Sequence, residues 1–347
     1  MKVLVASSIF PFVEGGSTFI VDWLAQALRE RGHEVEVLLF PFEGRPETVL
    51  EEMYAMRLVD LSQHGDRLIA IRGPSHLLRH PRKNLWFIHH HRTAYDLWGT
   101  RYQDIPNTPE GLTIRDAIIH ADNRAFAEAQ RIFSNSRVVQ QRLKRFNSVD
   151  VEVLYPPLRP GYRAASGAYG DSFLYVSRLT HHKRQWLAVE AMRHTRTPVR
   201  LVIAGRADPG SESYVDELRY RIRQHGLEGR VDLLDGWISE QEKAERFAAC
   251  RGALYFPVDE DSYGYPTLEA FAASRPVIST TDAGGTDEII EHGVNGYLVA
   301  PEPAAIAAAM DELFEDPERA QRMGEAGKHQ MAALGIHWDR VVERLLL

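Results

Sequence analysis

Short apolar runs rich in β-branched residues alternate along this chain with stretches in which apolar positions return at helical spacing. That alternation predicts parallel sheets covered by helices. In the first half, strands are predicted at Val3 to Ala6, Val35 to Phe40, Leu68 to Ile71, Leu85 to Ile88, Ile132 to Ser134 and Val151 to Leu154. The stretch Tyr155-Pro156-Pro157-Leu158-Arg159-Pro160-Gly161, with the Gly/Ala/Ser-rich run up to Ser172, breaks the pattern and predicts an interdomain linker. A second series follows, with strands at Phe173 to Val176, Val199 to Ala204, Val231 to Leu234, Ala253 to Phe256, Val277 to Ser279 and Tyr297 to Val299. The fold class expected is therefore α/β, with one doubly wound domain over residues 1–158 and another over 159–335. In open sheets of this kind ligands bind beyond the carboxyl ends of the strands, which gives functional weight to the residues just after them.

Composition sharpens this outline. At 347 residues and 44% hydrophobic content the chain suits two well-buried domains. No apolar run approaches the ~20 residues that cross a bilayer, and the first residues enter a strand pattern without a signal-peptide cleavage region, so a cytoplasmic protein is expected. Cys250 is the only cysteine, which excludes a disulfide framework and a cysteine metal site. The net charge of −7 is uneven: residues 1–165 carry 21 basic and 19 acidic side chains, the remainder 20 and 29. Such a balance points to no nucleic-acid partner. Basic clusters at Arg79, Arg82 and Lys83 and at Arg142, Lys144 and Arg145 suit peripheral contact with an anionic membrane surface, although solvation is the usual fate of such clusters.

The most informative segment is Asp261-Ser262-Tyr263-Gly264-Tyr265-Pro266-Thr267-Leu268-Glu269, where two carboxylates stand eight positions apart across a glycine turn and a predicted helix start. Pro266 suits the first helical position, leaving Thr267 and Leu268 to present backbone N–H groups at the positive end of a helix dipole. Such an end binds phosphate. Flanking acids would repel that phosphate but accept hydrogen bonds from hydroxyls, as ribose and a hexose offer on either side of a diphosphate. A nucleotide-sugar site is the expectation. Arg178 and Lys183, after the strand Phe173 to Val176 in the same domain, supply cations for the diphosphate.

Glycines punctuate other strand ends. Gly284-Gly285 follows the strand ending at Ser279, and Gly15-Gly16 follows the first strand; each pair allows close backbone approach to a ligand or simply a tight turn. Neither is a dinucleotide fingerprint, and no P-loop occurs. His89-His90-His91-Arg92 ends the strand Leu85 to Ile88. Consecutive side chains of an extended segment point alternately, so these three histidines do not make a metal site together, and one or two of them face the cleft. No divalent-cation site is expected, although Asp259-Glu260-Asp261 is a D-x-D triplet.

Taken together these segments resemble the retaining glycosyltransferases of family 4, which have the GT-B architecture of two Rossmann-like domains facing across a cleft. The likeness rests on Gly15-Gly16 with Leu24-Ala25-Gln26-Ala27-Leu28 and Gly32-His33-Glu34-Val35, then Val176-Ser177-Arg178-Leu179 with Lys183. It continues through Ile203-Ala204-Gly205, the run from Gly226 to Gly236, the acidic pair, Gly284-Gly285 with Glu288, and Asn295-Gly296. The resemblance implies that Glu269 holds the donor ribose and Asp261 faces the transferred sugar, with Tyr263, Gly264, Tyr265, Thr267 and Leu268 lining sugar and phosphates. Arg178 and Lys183 would clamp the diphosphate, Gly15 and Gly16 would approach the donor, and His89 would sit near the reacting sugar, with His91 as its alternative. Asp261 stands where the family usually has Glu. The last segment, from Ile336 through residues 336–347, resembles the family's terminal helix, which packs back on the first domain.

The implied activity is metal-independent, front-face, retaining transfer of a hexose-type sugar from a nucleoside-diphosphate sugar to a carbohydrate or glycolipid hydroxyl. The implied setting is cell-envelope assembly, in the cytoplasm or at the inner face of the membrane. No cofactor beyond the donor substrate is implied. A sugar-nucleotide epimerase, a phosphorylase and a noncatalytic sugar-nucleotide-binding protein share the architecture; the missing fingerprint disfavours an NAD-dependent oxidoreductase.

Overall fold

The computed structural model describes residues 1–11, 16–208 and 210–347. Contacts divide the chain into two units: Met1–Pro160 with Ile336–Leu347, and Gly161–Gly335.

The first unit alternates β1 (Lys2–Ile9), α1 (Gly16–Glu30), β2 (Glu34–Pro41), α2 (Val49–Leu58), β3 (Arg67–Ala70), β4 (Lys83–Phe87), α3 (Pro109–Glu128), β5 (Arg131–Ser134), α4 (Arg137–Asn147) and β6 (Glu152–Val153). These strands form one parallel sheet in the order β2-β1-β3-β4-β5-β6. Successive residues of β1 point to opposite faces, and both faces are covered. Val3 and Val5 join Leu24, Leu28 and Ile69 on one side, while Leu4 and Ala6 join Met53, Leu68 and Ile118 on the other. Two-sided burial is why the strand carries a continuous apolar run. Helix starts are capped locally: Thr108 Oγ1 accepts from the Gly111 N–H at 3.2 Å, and Ser136 Oγ accepts from the Val139 N–H at 3.1 Å.

One basic cluster is not a solvated patch. Lys83 opens β4 fully buried, and its ammonium donates to the carbonyls of His76 at 2.8 Å and Leu78 at 3.1 Å, with Glu128 at 3.5 Å. Burying the ammonium is tolerated only because those oxygens and one carboxylate replace water. Arg79 and Arg82 remain outside, paired with Asp60 and Asp66. In the other cluster Arg142 pairs with Asp96 and Lys144 with Asp150.

The second unit contains β7 (Ser172–Val176), α5 (Gln185–Met192), β8 (Arg200–Gly205), α6 (Glu212–Gln224), β9 (Val231–Asp235), α7 (Glu240–Ala249), β10 (Gly252–Tyr255), α8 (Tyr265–Ala272), β11 (Val277–Thr280), β12 (Gly296–Val299), α9 (Pro303–Glu315) and α10 (Pro317–Ala333). Its parallel sheet runs β12-β11-β10-β7-β8-β9. Phe173, Tyr175, Leu201 and Ile203 pack with Leu187, Leu218, Ile306 and Met310 in its core. Each expected strand is present in both units, with ends moved by up to three residues, and the α/β, doubly wound class holds.

The expected linker is less free than its composition suggests. Leu154, Tyr155 and Leu158 are buried, and the Trp86 indole donates to the Leu154 carbonyl at 2.8 Å. Beyond the boundary, a Cβ on Gly170 would lie 2.3 Å from the Ala249 carbonyl oxygen, so this glycine permits close packing on the end of α7 rather than chain freedom.

The last helix, α11 (Trp338–Leu346), returns to the first unit. Val341, Val342 and Leu345 enter the same core as Val3 and Leu24. The Trp338 indole donates to the Leu158 carbonyl at 2.7 Å and meets Trp86 edge-on at 6.2 Å. Asn84, buried in β4, donates to the Leu345 carbonyl at 2.8 Å. Trp338→Ala is expected to destabilise the first unit by roughly 3–5 kcal/mol, the usual cost of truncating a buried aromatic; urea unfolding followed by circular dichroism would read it.

Candidate functional site

In a doubly wound sheet the ligand crevice opens where the strand order reverses. In the second unit that point lies between β7 and β10, since β7 leads to β8 on one side and β10 to β11 on the other. The loops leaving these two strands carry Arg178 and Lys183 from β7, and residues 256–264 from β10. In the first unit the reversal falls between β1 and β3.

Lys183 is only 6% exposed, at the end of a short 3₁₀ turn. Its ammonium donates to the Tyr255 hydroxyl at 3.0 Å, lies 5.3 Å from the centre of that ring, and forms an ion pair with Glu260. Burial pulls the lysine pKa below its ordinary value, and Glu260 opposes that shift. Arg178, more exposed, pairs with Asp208 at 2.5 Å. Both cations therefore stand beside a carboxylate that sequence patterning did not single out. Glu260 belongs to the acidic triplet Asp259-Glu260-Asp261 at a strand end, a visible cluster of acids in which nothing local marks the one that meets the lysine.

The loop after β10 is fixed almost residue by residue. The Phe256 N–H donates to the Tyr175 hydroxyl at 2.8 Å, Val258 N–H to the His182 carbonyl at 2.9 Å, and Asp259 N–H to the Asp282 carbonyl at 3.1 Å. Arg184, in the left-handed region at φ 54°, sends its guanidinium to the carbonyls of Phe256 and Pro257, to the Thr280 hydroxyl and to both oxygens of Asp282. One buried arginine thus joins the ends of β7, β10 and β11. Such a planar fork suits a bidentate carboxylate.

The glycine pair after β11 serves the same packing. Glu260 N–H donates to the Ala283 carbonyl and Gly285 N–H to the Glu260 carbonyl, at 3.1 and 3.0 Å. A Cβ on Gly284, at φ 77°, would lie 2.3 Å from the Glu260 carbonyl oxygen, and one on Gly285 would lie 2.7 Å from the Ser262 Cα. The close approach these glycines permit is between two protein backbones.

Helix α8 starts at Tyr265, which puts Pro266 at its second position instead of its first. The free Thr267 N–H expected from the sequence is instead bonded, donating to the Gly264 carbonyl at 3.2 Å because that carbonyl closes the first turn, and the Thr267 hydroxyl donates to the Tyr263 carbonyl at 2.7 Å. Tyr263, Thr267 and Leu268 are buried, while Asp261, Gly264 and Tyr265 are half-buried. Burial, then the nearby Glu269 carboxylate, raise the Tyr265 phenol above its ordinary pKa. Glu269, 2% exposed in the second turn of α8, meets the Lys243 ammonium at 2.6 Å; Lys243 also meets Glu240 at 2.8 Å. Lys243 went unnoticed in the sequence because no local spacing links α7 to α8.

The remaining candidates belong to the first unit. Gly15 lies outside the described residues, and Gly16 opens α1. The three histidines separate as alternation requires. His89 is half-buried, with Nδ1 2.9 Å from the His90 carbonyl oxygen. His90 points into the core, where Nε2 is 2.8 Å from Asn147 Oδ1 and the ring packs edge-on against Phe87 at 4.9 Å. Burial keeps its pKa below the ordinary value. His91 lies edge-on to Phe42 at 6.3 Å. His90 is thereby a core histidine that anchors the loop carrying the other two. Beneath it Tyr95 donates to Asp122 at 2.7 Å, and His76 Nε2 lies 2.7 Å from the same carboxylate, a polar network absent from the sequence expectations.

Two six-stranded Rossmann-like units with this element order define the GT-B class of glycosyltransferase folds. The whole chain matches the crystal structure of Anabaena HepE in complex with UDP over 99% of both chains, with a TM-score of 0.73 and 20% identity. Residues 166–330, within the second unit, match the family model described as glycosyl transferases group 1. Curated relatives include the alpha-1,3/1,6-mannosyltransferase of Mus musculus, 28% identical over 59% of this chain and 54% of the relative. The O-antigen chain mannosyltransferase C of Escherichia coli is 29% identical over 46% of this chain and 42% of its own length. The chain thus spans about half the length of the curated relatives it matches.

A Cβ on Gly264, at φ 71°, would sit 2.4 Å from the Tyr255 ring that also receives the Lys183 hydrogen bond. Gly264→Ala combines a left-handed backbone with overpacking, and is expected to cost about 2 kcal/mol or more. Thermal unfolding would show the loss as a lowered midpoint; an unchanged midpoint would contradict this packing.

Proposed function

We propose that this protein is an enzyme that transfers a hexose-type sugar from a nucleoside-diphosphate sugar to a hydroxyl acceptor with retention of configuration. The observation that carries this is the placement of the group 1 family match, residues 166–330, over the unit whose strand-order reversal gathers Arg178, Lys183 and the Asp261 to Glu269 segment. The named activities of the relatives, sugar transfer by mannosyltransferases, agree with a hexose-type donor.

In this reading, cleavage of the sugar–phosphate bond leaves negative charge on the diphosphate and oxocarbenium character on the sugar. Arg178 and Lys183 stabilise the leaving group through preorganised charge. Glu269, paired with Lys243, accepts from the ribose hydroxyls, and Asp261 accepts from the transferred sugar. The acceptor hydroxyl attacks from the leaving-group face, and a phosphate oxygen takes its proton. The acceptor is a carbohydrate or glycolipid of the cell envelope, met in the cytoplasm or at the inner membrane face. No described helix is long and apolar enough to cross a membrane.

A thermal-shift and donor-turnover screen with GDP-, UDP-, ADP- and dTDP-sugars tests the reading. Release of free nucleoside diphosphate that rises with added acceptor supports transfer, whereas interconversion of the sugar without acceptor would indicate an epimerase, and binding without release a noncatalytic protein. Lys183→Ala is expected to lower turnover at saturating donor by roughly 10² to 10³, the usual cost of one transition-state stabiliser. Glu269→Ala is expected to weaken donor binding about 10- to 100-fold in calorimetry, the worth of hydrogen bonds to a charged group.

A further inference from the structure

We propose that Glu260 is a built-in counter-anion for Lys183 that weakens the site's hold on the nucleoside diphosphate, favouring its departure after transfer. This rests on the assignment of Lys183 to the donor diphosphate. Lys183 is 6% exposed, and its ammonium has the Glu260 carboxylate and the Tyr255 hydroxyl as partners. A charge so withdrawn from water requires compensation, and Glu260 supplies it before any ligand arrives.

Glu260 cannot retreat by moving its backbone. Its N–H and carbonyl are both bonded to the Ala283 to Gly285 segment, and a Cβ on Gly284 would already clash with its carbonyl oxygen at 2.3 Å. The neighbouring Asp259 N–H is held by the Asp282 carbonyl, and Arg184 grips Asp282 with both arms of its guanidinium. Only the Glu260 side chain, 27% exposed, is left to rotate. A diphosphate that reaches Lys183 therefore shares it with a carboxylate that stays close by.

That sharing bears unequally on donor and product. In a nucleotide sugar the terminal phosphate is a diester and carries one fewer ionisable oxygen than the free nucleoside diphosphate. Cleavage adds negative charge on the phosphate nearest the lysine, and repulsion by a poorly solvated carboxylate grows with that charge. Glu260 thus penalises the product more than the donor. Arg178 faces the same limit less severely, since its own side chain is 40% exposed where it meets Asp208 and is better solvated than Lys183.

The test is calorimetric. Whichever of UDP, GDP, ADP or dTDP gives the largest thermal shift with the wild-type protein is titrated into wild type, E260Q, K183M and the double variant, alongside the matching nucleotide sugar. E260Q is expected to bind the nucleoside diphosphate roughly tenfold more tightly, within the range of close charge couplings at binding sites. The nucleotide sugar should tighten less, and the E260Q effect should vanish in the K183M background. Unchanged or weaker binding of the nucleoside diphosphate by E260Q overturns the proposal while K183M still weakens it. If K183M binds as wild type does, the assignment of Lys183 itself falls. Should E260Q lose its cooperative melting transition, E260D, with its carboxylate one methylene further from Lys183, should tighten binding by a smaller factor, and unchanged or weaker binding is again the overturning result.

Discussion

An ammonium withdrawn from water needs its counter-charge close at hand, and in the second unit that requirement governs the carboxyl ends of β7 and β10. Lys183 is met by Glu260 and Tyr255, and the loop that delivers them is sewn to its neighbours at residues 256, 258, 259 and 260. Tyr255 also forbids a side chain at Gly264, so the turn into α8 takes its shape from the same ring. Remove the charge and the tyrosine, the glycine and the stitched loop lose their common reason.

Arg184 extends the logic one strand further. Its guanidinium is satisfied by two carbonyls, a hydroxyl and a carboxylate from segments that only meet when β7, β10 and β11 are in register. Buried polar groups of this kind stabilise little on their own account but are costly to misplace. The neighbouring Lys183 and Arg184 thus divide the work: one is tied by one carboxylate and one hydroxyl, the other by a planar fork with five contacts. That difference separates a residue suited to exchange partners from one suited to hold a frame.

The strands were legible in the sequence because parallel strands buried on both faces need uninterrupted apolar runs. The doubly wound class followed from their alternation with helices. What the sequence concealed was pairing across distance: Lys183 with Glu260 is separated by 77 residues and Arg184 with Asp282 by 98, and no local period joins either pair. Lys83 was misread for a related reason, since a run of basic residues suggests solvent until the carbonyls of His76 and Leu78 are seen around one of them. The Pro/Gly-rich stretch misled in the opposite direction. Composition marked it as a break, but could not tell free chain from chain packed against a helix end, as at Gly170.

The return of α11 to the first unit has a consequence for biosynthesis. Asn84 and the Leu345 carbonyl it binds are 261 residues apart, so the groove that takes Val341 and Leu345 stays uncovered while the whole second unit is being translated. At typical elongation rates of ~5–20 residues per second, the first unit waits on the order of ten seconds or more with part of its core open to water. It is the earlier of the two to leave the ribosome and the later to be finished.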